Sequence, residues 1–314
     1  ETIRAIAVTA LVFTVPTVVV GLEWLHCLMP LPVCYFLSVY GQKRGAAIVA
    51  GALAIATGMS LWVGALPGLL FSLTLLPVGF ILAKAERKNE SVQHAGLQSA
   101  GYLVLVWLSA GWLIGMATQI NPYLELRQGL DKGFEATFIL YRDSGHFPAN
   151  DLEAIKVFID ELRIQVARLF PALLLTSIIC TVWMNIVVGQ WLLKKKDSSR
   201  TKREDLKNWR LPELLVWPVI VAGIALLVPE ERFNTLGLNL GLVLLVLYLS
   251  QGLAIISSMM RRWSLPLAIR AITYTLLFLQ VYGIAFVAAL GLADVWLDFR
   301  KPRLKKDADD TSVS

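Results

Sequence analysis

Long apolar runs separated by short charged joints make up most of the chain, and one stretch breaks that pattern. Between residues 119 and 168 charges are frequent, and an apolar half lies on either side. Asn121-Pro122, a helix N-cap followed by proline at the first helical position, opens one helix there. Asn150-Asp151-Leu152-Glu153, with the Asn-x-x-Glu spacing of a capping box, opens another. In the second, Leu152, Ile155, Phe158, Ile159, Leu162, Val166 and Leu169 recur at steps of three or four, while Glu153, Lys156, Asp160, Glu161 and Arg163 fall elsewhere. The pattern predicts two short amphipathic helices, with Ile155, Phe158 and Leu162 on a greasy face that serves as a lid or a docking surface.

The apolar halves read as membrane helices. Ala5 to Gly21 continues through Glu23, His26 and a Met29-Pro30-Leu31-Pro32 break to Tyr40, which predicts a helical hairpin whose arms are short for the ~17–25 residues of a full crossing. A second hairpin runs from Gly45 to Trp62, turns at residues 64–68 and returns from Leu69 to Leu82. Leu97 to Met116, Ala172 to Leu193, Leu211 to Val228 and Leu238 to Ile256 follow as spans, and Leu267 to Leu297 is expected to bend near Tyr282-Gly283. The expected fold is therefore all-α, a polytopic bundle of about eight or nine apolar elements carrying an external amphipathic pair. Its parts are N-terminal membrane helices (1–118), the extracytoplasmic insertion (119–168), C-terminal membrane helices (169–306) and a polar tail (307–314).

Composition agrees: 56% of the residues are hydrophobic and 17% charged, against roughly 45–50% and 25% in soluble domains. The charges also set an orientation. Residues 194–210 hold eight basic side chains and three acidic ones, while 119–168 hold six basic and eight acidic. The first is expected in the cytoplasm and the second outside. Only Arg4 precedes the first apolar run and no small-residue cleavage site follows, so a removable signal peptide is not expected. The net charge of +6 gathers at span ends, which gives no reason to expect nucleic acid as a partner. Cys27, Cys34 and Cys180 lie in apolar runs without metal-ligand spacing and read as small buried hydrophobes.

Trp209-Arg210-Leu211-Pro212-Glu213-Leu214-Leu215-Val216-Trp217-Pro218, then Gln251-Gly252-Leu253-Ala254 before Arg261-Arg262, then Gly291-Leu292-Ala293-Asp294-Val295-Trp296-Leu297-Asp298-Phe299-Arg300-Lys301, resemble the YybS-like family of bacterial membrane proteins in order and spacing. That family is distantly similar to the substrate-binding S components of energy-coupling-factor transporters. The resemblance implies a helical bundle with a ligand cavity opening outward. S components carry an Ala-x-x-x-Ala docking seam on their first helix, whereas here Ala46, Ala50, Ala54 and Gly58, spaced by four, lie on a later one. These four are expected to form a packing or docking seam.

No Walker loop, Gly-x-Ser-x-Gly, His-Glu-x-x-His or Cys-x-x-Cys occurs, and the only histidines are His26, His94 and His146. No catalytic residue, cofactor or metal site is therefore expected. Functional signal rests on polar side chains at membrane depth: Glu23, His26, Asn185, Gln190, Gln251, Gln280 and Asp294. The expected function is that of a multi-pass protein of the bacterial inner membrane that binds or transports a small molecule in the manner of an S component. The alternative is a non-catalytic subunit or assembly factor of a larger membrane complex. Besides the lipid bilayer, the expected partners are membrane proteins or a small-molecule ligand.

Overall fold

The computed structural model describes residues 1–19, 21–196, 210–297 and 299, and every regular element among them is helical. The elements are α1 (Thr2–Val18), a 3-10 helix (Glu23–Leu28), α2 (Pro30–Val63), α3 (Leu66–Arg87), α4 (Val92–Thr118), α5 (Pro122–Asp143) and α6 (Ala149–Lys196). A second 3-10 helix (Glu213–Leu215) leads into α7 (Val216–Leu227), α8 (Glu231–Arg262), α9 (Leu267–Leu279) and α10 (Val281–Leu297). Five helices are long and apolar enough to cross a membrane, or six if α9 and α10, bent by 105°, count as one broken span. α1 and residues 213–227 are shorter apolar helices. The chain divides into two compact units, residues 1–205 with 221–243, and residues 206–220 with 244–314.

In the first unit, α2 is two arms. Gly41 takes φ 78°, ψ 177°, a conformation open to glycine and strained for other residues. A Cβ on Gly45 would lie 2.6 Å from the Phe36 carbonyl oxygen, whereas nine residues of straight helix span about 13 Å. The chain thus doubles back, and Lys43 and Arg44 sit at the reversal. The expected first hairpin is formed by α1 and residues 23–40, with the 3-10 helix as the outer half of its return arm. From there the chain runs along the long arm of α2, back along α3 and forward along α4. α3 packs on both α2 and α4. Basic residues gather where such crossings end, at Lys84 and Arg87 of α3 and Lys194–Lys196 of α6.

Two expectations need correction. The second insertion helix is not separate: α6 runs 48 residues without a break, from the insertion through Pro171 to the basic end, about 72 Å at 1.5 Å per residue. It begins at Ala149, and Asp151 and Leu152 donate to the Pro148 carbonyl, so Asn150 lies inside the first turn rather than capping it. The boundary expected at 168–169 therefore falls within one helix. The segment 211–228 is helical in α7 only over 12 residues, about 18 Å and short of a bilayer. The bend expected near Tyr282-Gly283 is present, at Gln280 with its extended φ −113°, ψ 127°. Most of the basic linker (197–209) and the tail (300–314), together with Asp298, lie outside the described residues.

Candidate functional site

The first polar cluster grows from a proline break. Pro30 and Pro32 open α2 and bring no N–H groups, so carbonyls of the preceding 3-10 helix lack their ordinary donors. Asn185 of α6, fully buried, supplies one: its Nδ2 donates to the Cys27 carbonyl at 2.6 Å and to Thr181 of its own helix at 2.7 Å. Asn185 stands nine residues from Lys194, about 13 Å into the span. Such irregular backbone survives at membrane depth only where protein satisfies it. Beside it, the ring of His26 meets Phe71 of α3 edge-on at 5.4 Å, and His26 Nδ1 lies 2.6 Å from the Glu23 carbonyl. A carbonyl only accepts, so Nδ1 carries the hydrogen. Glu23 itself is exposed and accepts from the Gly21 N–H at 2.9 Å.

The same device holds α6 together. Pro171 lacks an N–H and crowds the preceding turn. Asn239 of α8 bridges the place: its Oδ1 accepts the Ala172 N–H and its Nδ2 donates to the Arg168 carbonyl, both at 3.0 Å. Arg168 donates through Nε to Thr235 Oγ1 and through Nη2 to Asn234 Oδ1, each at 2.7 Å. None of Arg168, Asn234, Thr235 or Asn239 stood out in the sequence, although the prolines that need them are visible there.

In the second unit, α8 and α10 cross at backbone distance. A Cβ on Gly252 would run into the Val287 carbonyl, and one on Gly291 into the Tyr248 carbonyl. This approach places Gln251 against Asp294, both 1% exposed, with Gln251 Nε2 at 3.3 Å from Asp294 Oδ2. Gln251 Oε1 accepts the Leu211 N–H at 3.0 Å, and Asp294 Oδ1 accepts the Phe299 N–H at the same distance. The three stretches singled out in the sequence thus meet at one buried polar cluster. The model for the family described as Predicted membrane protein (DUF2232) matches residues 5–295.

The chain belongs to that family. No curated protein and no solved structure matches it. Each unit of this DUF2232 protein carries its own cluster of the expected intramembrane residues. His26 and Asn185 sit together, Gln251 and Asp294 sit together elsewhere in the chain, and Gln190 is buried on α6 one turn beyond Asn185. Arg300 and Lys301, read as an interfacial anchor or gate, lie outside the described residues.

The small-residue seam is on another face. Ala50, Ala54 and Gly58 are exposed, Ala46 is half-buried, and a Cβ at Gly58 would meet nothing within 4 Å. The small residues packed inside are Gly45, Ala52, Ala56 and Ser60, offset on the same helix because the neighbours α1 and α3 approach from that side. Cys34 is buried, but Cys27 is half-buried and Cys180 exposed.

The greasy stripe of the insertion is split as well. Ile159 is buried and Ile155 half-buried, and α5 and α6 pack together with Arg163 Nε 3.5 Å from Asp131. Phe158 and Leu162 face outward, with Phe158 62% exposed beside Val157 at 65%. Phe158 and Leu162 thus leave an apolar face open on α6, while Ile155 and Ile159 turn inward. Val157 and Phe158, with Ala154, form an exposed apolar strip on one face of α6, flanked on the same face by Asn150, Glu153 and Glu161.

Proposed function

We propose that this integral membrane protein acts as a non-catalytic subunit or assembly factor of a larger complex in the bacterial cytoplasmic membrane. Its α5–α6 hairpin is the docking arm, held on the extracytoplasmic side. The observation that carries this reading is the exposed apolar strip of Val157 and Phe158 on a helix continuous with a candidate span. Contiguous apolar surface outside a bilayer marks a contact with another protein, and α6 extends about 40 Å beyond the 30 Å hydrocarbon thickness. The acidic rim adds the sign of the partner: a helix with an apolar centre and basic flanks fits it.

The test is Phe158→Asp in the full chain, purified gently from its native membrane. Because Phe158 packs on nothing, the bundle should keep its stability to within ~0.5 kcal/mol while a stoichiometric partner is lost. Full retention of that partner would reject the docking arm.

A second reading, solute binding or transport of S-component type, draws on the buried Gln251–Asp294 cluster and the helix broken at Gln280. It requires a small molecule that co-purifies with the protein and is lost in Asp294→Asn, and mass spectrometry of the unmodified protein and that variant decides it.

A further inference from the structure

Among the buried polar side-chain atoms of the first unit that lack partners among the described residues, two lie beside the proline break, His26 Nε2 and Asn185 Oδ1. The Asn185 amide gives its N–H groups to two carbonyls, Cys27 and Thr181, so its orientation is determined and Oδ1 is left buried without a donor. His26 carries a hydrogen on Nδ1, toward the Glu23 carbonyl, so in the neutral imidazole Nε2 is the acceptor, and it too is buried without a partner among the described residues. His26 is 8% and Asn185 0% exposed. The two flank one peptide, that of Cys27, whose carbonyl Asn185 holds. Buried acceptors of this kind are rare in native proteins and are ordinarily met by an ordered water or a bound molecule.

We propose that His26 Nε2 and Asn185 Oδ1 form a buried binding site for a small hydrogen-bond donor, water or an ammonium-class cation. Two acceptors repel an anion and give a carbonyl ligand nothing to bond, whereas water or ammonium offers several hydrogens at once. Phe71, edge-on to the imidazole, forms an apolar wall of the site. Occupation fixes the His26 tautomer and closes the polar gap at the proline break, so the site ties a ligand to the one place where this return arm is not α-helical.

The experiment uses the full chain in lipid bilayers with nitrogen-15-labelled histidine. The protein has three histidines, and His26→Phe, which keeps a ring against Phe71, identifies the His26 signals by their loss. Nδ1 is expected to be protonated, and Nε2 unprotonated with the shift of an accepting nitrogen. In amine-free buffer, magnetisation transfer from water protons to Nε2 assigns the site to water. A saturable Nε2 shift on titration with ammonium chloride, absent with sodium chloride, assigns it to the cation. A hydrogen found on Nε2 at neutral pH overturns the proposal. So does an Nε2 that shows neither water transfer nor a response to ammonium.

Discussion

Asparagine does at two places in this protein what the backbone cannot do for itself. Asn185 and Asn239 each reach from a neighbouring helix to a proline break and supply the hydrogen bonds that proline removes. Replacing either by leucine keeps the branched shape but strands a part-buried carbonyl, which costs about 1–3 kcal/mol. Asn239→Leu should therefore lower the unfolding midpoint in detergent, measured against Asn234→Ala, which leaves the Asn239 clip in place. An unchanged midpoint for Asn239→Leu would mean that water satisfies the break. At this scale the sequence was half legible. Asn185 stands out as a polar residue in an apolar run, and Pro30, Pro32 and Pro171 stand out as breakers. The pairing did not, because Asn185 and Cys27 are 158 residues apart and only packing brings them together.

Helices carry the largest departures from the sequence pattern, and the causes are specific. Charge density suggested that the insertion ends near residue 168, but helix continuity follows backbone hydrogen bonds rather than polarity, so α6 passes from the polar stretch into the apolar one. Which small residues of α2 pack within the chain was hidden for a related reason. Small residues at 46, 50, 54 and 58 and at 45, 52, 56 and 60 share the helical spacing, and which set is inward depends on neighbours that periodicity does not locate. Ala52, fully buried, and Ala50, exposed, separate the two faces. Ala52→Leu should cost about 1–3 kcal/mol of stability through overpacking, while Ala50→Leu should stay within about 0.5 kcal/mol. Thermal unfolding of both variants in one detergent checks the order, and a larger loss for Ala50→Leu would contradict it. Close contact between α8 and α10 depends on glycines. Gly252 and Gly291, both within the stretches that carried the family resemblance, are the residues that bring Gln251 to Asp294.

For the molecule as a whole, hydropathy sufficed for the class: an all-helical multi-pass membrane protein, in a family described in the same terms. It gave the hairpins, the bend in the last apolar stretch and the basic ends of the crossings. What it left open is which surfaces meet other molecules, because burial is a property of the folded chain. Orientation follows from charge, and single cysteines at Ser144 and Ser199 in a background lacking the native three should label from opposite sides of intact cells or spheroplasts. Labelling of both by an impermeant reagent from outside would overturn the assignment.

The central claim is that the outward face of the α6 arm is a docking surface rather than a bare helix face. The most direct measurement places a photocrosslinking amino acid at Phe158 and, separately, at Ile159, which is buried against the hairpin, in the native membrane. Crosslinking at 158 to one defined membrane protein, weakened by charge reversal of Glu153 and Glu161 and absent at 159, is the predicted result. Crosslinks at 158 to lipid alone, or to no single protein, would contradict the account.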